Sequence, residues 1–278
     1  MIINKKQMGE INSVQYEIFK AFHFACIKLN LKYYLVHGSL LGALRHQGFF
    51  PMDDDIDVAM FRKDYDILVT KGQKYLGNRF FIQSNYSEKD YPLIFGKIRA
   101  HNTAFIQPVL NNCDVHKGIY IDIFPIDNYP TNKWKKKILK IKGYLYYGRI
   151  IGKLNFGRKK TIKTKIREFI YTLLMPCWET ARNKLCNLYS NVKPTGLVIV
   201  RGGKANEVGI SSELFGEPVN IKFEDLESYA PNKTEKYLEL IYGDFMNYEP
   251  MGKYMVSENE VKISADIIDV NKSYKEYI

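Results

Sequence analysis

The residues of this chain best able to do chemistry are four aspartates in close succession, in the run Asp53-Asp54-Asp55-Ile56-Asp57. Read as a strand, the run places Asp53, Asp55 and Asp57 on one face and Asp54 on the other. Like charges on one face repel. With no basic residue between them, a divalent cation is the natural neutralising partner, and carboxylate oxygens select Mg²⁺ or Mn²⁺. An acidic run alone is usually a solvated loop, but the flanking residues argue for a site. Upstream, Gly38-Ser39 stands at a strand-to-helix turn, where free backbone N–H groups and the helix dipole hold phosphate oxygens. Downstream, Asp122 interrupts the otherwise apolar strand Ile119-Tyr120-Ile121-Asp122-Ile123-Phe124. A carboxylate in such a strand needs a partner, and a shared cation supplies one.

The elements that must position these groups follow from periodicity. Apolar residues at helical spacing predict a helix over 10–29, then a strand Tyr33–Val36, a turn at His37-Gly38-Ser39 and a helix Leu40–His46 capped by Ser39. Asp53–Met60 alternates as an exposed edge strand does, and Lys63–Tyr75 returns to helical spacing. Further strands are expected at Phe80–Gln83, Leu93–Ala100 and Gly118–Phe124. After Pro130 the pattern turns helical, over roughly 132–155 and 162–190. Glycines between Thr195 and Pro218 indicate short strands, and Lys233–Tyr242 reads as a helix ended by Gly243. The last twenty residues carry no clear signal, and the sequence holds no internal repeat.

The stretch HGSLLGALRHQGFFPMDDDIDVAMFRKDY, His37 to Tyr65, closely resembles the signature of the LicD family of phosphocholine-type transferases, which fukutin-related proteins share more distantly. IDIFPID at Ile121–Asp127 and PNKTEKYLELIYGDFM at Pro231–Met246 extend the resemblance over residues 10–250. Met52 stands where the family usually has Trp, and Tyr248-Glu249-Pro250 is looser than the family's double proline. The resemblance implies an α+β fold, a nucleotidyltransferase-like mixed-sheet core flanked by helices with a basic helical extension. Residues 1–130 are then the catalytic core with its N-terminal helix, and 131–278 add the basic segment and complete the fold. It also implies that Gly38 and Ser39 contact phosphate, that Asp55 and Asp57 bind the metal, that Asp122 is the third carboxylate and that Asp53 is an extra ligand. By the logic of such sites Asp122 is the base that takes the acceptor's hydroxyl proton. The implied donor is CDP-linked, such as CDP-choline, and CMP leaves. The implied acceptor is a sugar hydroxyl of a cell-surface glycan, capsule, lipopolysaccharide or teichoic acid, including a lipid-linked acceptor at the membrane.

Arg45, Lys97 and Arg99 are candidates to reach a phosphate. Arg45 and Lys97 are assigned to the donor, although single basic positions are more often surface charges. His37, His46 and Cys113-x-x-His116 are too little for a metal site. Four scattered cysteines exclude a disulfide framework and a zinc module. With 46% apolar and 14% aromatic residues, 278 residues bury a full core without an apolar run long enough to span a bilayer. A cytoplasmic protein, peripheral at the inner face of the membrane if attached at all, is the expectation. Of 41 basic residues 14 lie in Lys133–Arg167, which has no acid, so the remaining 27 face 30 acidic ones and the basicity is local. Trp134, Tyr144, Tyr146, Tyr147 and Phe156 interleave there, which suits an anionic glycan, a phospholipid surface or RNA; in the leading reading no nucleic-acid partner is expected. The rival readings are a true nucleotidyltransferase that releases pyrophosphate, and a non-catalytic RNA- or membrane-binding protein.

Overall fold

A computed structural model describes residues 1–51, 53–154, 161–202, 208–249, 255–257 and 259–278. The first strand, β1 (Ile2–Asn4), runs straight into α1 (Lys5–Leu29), five residues ahead of the start predicted from periodicity. The reason is a reciprocal cap. The Asn4 side chain accepts the Gln7 N–H while the Gln7 side chain accepts the Asn4 N–H, satisfying two donors that an uncapped helix leaves orphaned. Then follow β2 (Tyr34–Leu35), α2 (His37–His46), β3 (Asp57–Phe61), α3 (Arg62–Lys71), β4 (Phe80–Gln83), β5 (Gly96–Ala100), β6 (Ala104–Ile106) and β7 (Tyr120–Asn128).

The rest of the chain supplies α4 (Lys133–Ile151), α5 (Ile162–Leu174), α6 (Trp178–Cys186), β8 (Leu197–Val200), β9 (Ile210–Ser211), β10 (Val219–Phe223), β11 (Leu226–Ala230), α7 (Thr234–Tyr242), β12 (Met255–Ser257), β13 (Glu260–Lys262) and β14 (Ile267–Asp269). Thr161 caps α5, and Pro176 separates it from α6, where one helix over 162–190 was expected. A proline lacks the N–H that an unbroken helix requires. Phe156 and Met52 lie outside the described residues.

The fold is α+β, as expected. Its main sheet has seven strands in the order β2-β3-β7-β5-β4, with β8 on β7 and β9 on β8. Among the described residues, β3–β7 is the parallel pairing of this sheet and the others are antiparallel. The central strand β7 is buried through eight of its nine residues, which explains its nearly continuous apolar sequence. α1, α2 and α3 pack against these strands. The sheet takes β8 from beyond residue 130, and Asp127 secures that junction. Its carboxylate accepts from Arg62 Nε at 2.7 Å and Nη2 at 2.8 Å, and from Arg201 Nη1 at 3.4 Å. One carboxylate thus ties α3, β7 and the end of β8 together.

Two expectations are corrected. β3 lies between β2 and β7 and is not an edge strand; the acidic alternation falls mostly on residues 53–56 ahead of it, while Val58, Ala59 and Met60 within it are all buried. The final residues, silent in sequence, form short strands, β13 beside β1 and β14 beside β6. Three-residue strands are too short to show periodicity, and their partners lie far away in the chain.

Candidate active site

Three strands bring three charges into one row. The parallel register of β3 and β7 sets Asp57 opposite Asp122, and the antiparallel register of β5 and β7 sets Lys97 opposite the same Asp122. Residues paired across adjacent strands share a face of the sheet. Carboxylate oxygens of Asp55, Asp57 and Asp122 lie within 4.8 Å of one another, and Lys97 Nζ donates to Asp122 Oδ1. Lys97 is only 2% exposed, and its ammonium also sits 3.4 Å from the centroid of the Tyr120 ring.

Asp53, Asp54 and Asp55 form a second trio within the same limit, so Asp55 belongs to both. This corrects the expectation that Asp54 faces away. Residues 53–56 precede the strand, where period-two geometry does not hold. They are fixed by the bonds from Asp53 N to Phe50 O at 3.0 Å, Asp122 N to Ile56 O at 2.8 Å and Gln15 Nε2 to the Asp54 carbonyl at 2.7 Å.

The turn upstream is tighter than expected. His37 adopts a left-handed conformation with φ of 51°, uncommon for a residue with a side chain, and α2 starts there without a side-chain cap. Ser39 is therefore inside the helix and does not cap it. Its hydroxyl is buried and accepts the Asp57 N–H at 2.8 Å, so this side chain fixes the start of β3. Gly38 lies against Asp53. A Cβ there would come within 2.2 Å of Asp53 Oδ2, so only glycine allows this carboxylate to approach the helix. Replacing Ser39 by Ala is expected to destabilise the fold by about 1 to 2 kcal/mol, since it strands the Asp57 N–H. Turnover should drop about tenfold or less through slight misplacement of Asp57. Urea unfolding and initial rates check both numbers.

Two lobes open on either side of the carboxylates. One, of about 270 Å³, is lined by Gly38, Asp53, Asp57, Tyr242 and Tyr248. The other, of about 330 Å³, is lined by Phe95, Lys97, Tyr120, Asp122 and Tyr147. Asp55 borders both. Sequence reasoning missed the aromatic linings because single tyrosines carry no spacing signal. Arg45 lines neither lobe. Its guanidinium donates to the Tyr248 carbonyl at 2.6 Å and pairs with Glu249 at 3.3 Å, which anchors the segment after α7 on α2. Arg99 is fully buried and donates to the Gly118 carbonyl and to Gln83.

The electrostatics ask for a cation. Burial above all, and then the neighbouring carboxylates, push the Asp55 and Asp57 carboxyls well above the ordinary range. Asp53 is pushed up to about 7 by burial and by Asp54. Burial also lowers Lys97, against the opposing pull of Asp122. Lys97, with Lys262 on the lining of the first lobe, leaves the five carboxylates in excess. The all-oxygen donor set with unbalanced negative charge fits a hard divalent cation of the Mg²⁺ or Mn²⁺ kind.

Residues 30–149 match the family described as "LicD/FKTN/FKRP, nucleotidyltransferase domain". The chain is 24% identical over 261 residues to the lipopolysaccharide cholinephosphotransferase LicD of Haemophilus influenzae, covering 89% of this chain and 94% of that one. An uncharacterized protein of Rickettsia prowazekii is 45% identical over 49 residues, 18% of either chain. The family match spans α2, β3, β5 and β7, and with them the whole row Asp57, Asp122 and Lys97; over residues 30–149 the chain is similar to that family's nucleotidyltransferase domain.

Proposed function

We propose that this protein transfers a phospho-alcohol, phosphocholine or a close analogue, from a CDP-linked donor to a hydroxyl of a cell-surface glycan, and that it requires Mg²⁺ or Mn²⁺. The observation that carries the reading is the row Asp57-Asp122 with Asp55 beside it, open to a lobe on each side. Two lobes meeting at one charged row suit a donor and an acceptor that exchange a phosphoryl-linked group between them. The relative from Haemophilus, whose name describes cholinephosphate transfer to lipopolysaccharide, supports the transferred group and the acceptor class.

In this reading Asp55, Asp57 and Asp122, with Asp53 as an additional ligand, hold the cation. It would neutralise charge on the donor diphosphate and on the departing CMP. The first turn of α2, at Gly38, presents backbone N–H groups to the donor phosphates. Asp122 borders the second lobe and takes the proton of the acceptor hydroxyl as that oxygen attacks phosphorus in line. Lys97 orients Asp122 and limits repulsion within the row. Tyr120 and Phe95 form an apolar wall that keeps competing water from the attacking position.

The test is to incubate the protein with Mg²⁺, a glycan acceptor and a panel of CDP-alcohols, and to follow released nucleotide. CMP release with CDP-choline or CDP-ethanolamine, lost in EDTA and regained with Mg²⁺ or Mn²⁺, is expected. Release of pyrophosphate from CTP, with a nucleotide left on the acceptor, would replace this reading by that of a true nucleotidyltransferase. Undiminished turnover in metal-free buffer would remove the cation from it.

A further inference from the structure

Helix α5 is built inside out. Its sequence, IKTKIREFIYTLL, carries Ile162, Ile166, Phe169, Ile170, Leu173 and Leu174 on one side at the spacing of an amphipathic helix. In a helix packed on a globular core this side faces inward. Here it faces out: Ile162 is 76% exposed, Phe169 70% and Leu173 72%, and no residue of α5 is buried. The half-buried positions are Thr164, Glu168 and Tyr171, on the opposite side.

This orientation is anchored. The Tyr171 ring lies where a Cβ on Gly148 of α4 would come within 2.4 Å. Arg149 donates to the carbonyls of Met175 and Pro176, each at 3.0 Å. The neighbouring α4 adds an exposed row of its own, Trp134, Ile138, Ile141 and Tyr144, spaced three and four residues apart.

We infer that the exposed apolar face of α5, with the adjoining row of α4, seats on an anionic phospholipid bilayer, lying in its interfacial plane. Charge selects this occupant. Lys133, Lys135, Lys137, Lys140 and Lys142 of α4 and Lys163, Lys165 and Arg167 of α5 are exposed, a flank that attracts phosphate headgroups while the aliphatic side chains enter the acyl boundary. Nucleic acid would use the lysines but not the isoleucines and leucines, whose burial needs an apolar phase. Among the described residues no helix is long and apolar enough to cross a membrane, so the contact is one of lying on the surface. Tyr147 and Ile150 of α4, and Leu154 just beyond it, line the second lobe. The docking itself stands whether or not the proposed reaction does.

The test uses the whole protein in co-sedimentation with vesicles of phosphatidylcholine alone and of equimolar phosphatidylcholine and phosphatidylglycerol. Binding is expected to the mixed vesicles only, and to weaken as added salt screens the charges. The double variant Phe169→Glu, Leu173→Glu changes only exposed positions and should keep its circular dichroism and its CMP release with a water-soluble acceptor, while vesicle binding falls at least about tenfold. Equal binding by the double variant, or none by the unaltered protein, overturns the inference. So does a dimer in solution that the same variant converts to monomer, because the face would then be covered by a second copy.

Discussion

Replacing Asp57 by Asn is expected to lower transfer about a thousand-fold while leaving the protein as stable as before, or more stable. The two effects have one cause. Asp57 faces Asp122 across β3 and β7 and lies within 4.8 Å of Asp55, so in the cation-free protein its charge is repelled by its neighbours and disfavoured by burial. Asn keeps the size and removes the charge. The Ser39 bond to the Asp57 N–H involves only backbone at position 57, so the strand start survives. The same substitution removes a ligand from the cation, whose stabilisation of developing charge is worth several kcal/mol. A loss of about 4 kcal/mol is about a thousand-fold in rate. Initial rates beside urea unfolding in EDTA decide the matter: a variant that is fully active, or one that unfolds, contradicts the assignment.

Replacing Lys97 by Met is expected to act with the opposite sign on stability. Lys97 is buried and spends its ammonium on Asp122 and on the face of Tyr120. Methionine fills nearly the same volume but leaves the row of carboxylates without its cation. Breaking a buried ion pair from one side costs roughly 3 to 5 kcal/mol, a large part of the stability of an ordinary domain. Added Mg²⁺ should restore part of it, because a ligand that binds only the folded state stabilises by mass action. A drop in urea midpoint that Mg²⁺ partly reverses is the expected result. An unchanged midpoint would show that Lys97 is not the counter-charge.

How much of this was readable from sequence depends on whether the cause is local. The aspartates announced themselves by type and spacing, and Asp122 by standing in an apolar strand; these groups do meet. The pairing of Lys97 with Asp122 is invisible in the sequence, because its partner is 25 residues away, through a strand register that no local pattern encodes. Arg45 looked equally well placed beside the motif. Its bonds run to residues 245–249, some 200 positions further on. Asp54 was assigned to the wrong face because the acidic run resembles a strand, whereas its first four residues are pinned as irregular chain by Gln15 and Phe50. For α5 the periodicity showed an amphipathic helix but not which side would face the protein, since that depends on what α4 offers it.

The claim on which the rest depends is that the carboxylates at the start of β3, with Asp122, bind a divalent cation together with a CDP-linked donor. Mn²⁺ titration followed by electron paramagnetic resonance, with and without CDP-choline, measures this without requiring turnover. The account predicts Mn²⁺ binding that CDP-choline tightens, and loss of that binding in the Asp55→Asn, Asp57→Asn double variant. A protein that binds no Mn²⁺ even with CDP-choline present, or a double variant that binds it as the unaltered protein does, would contradict it.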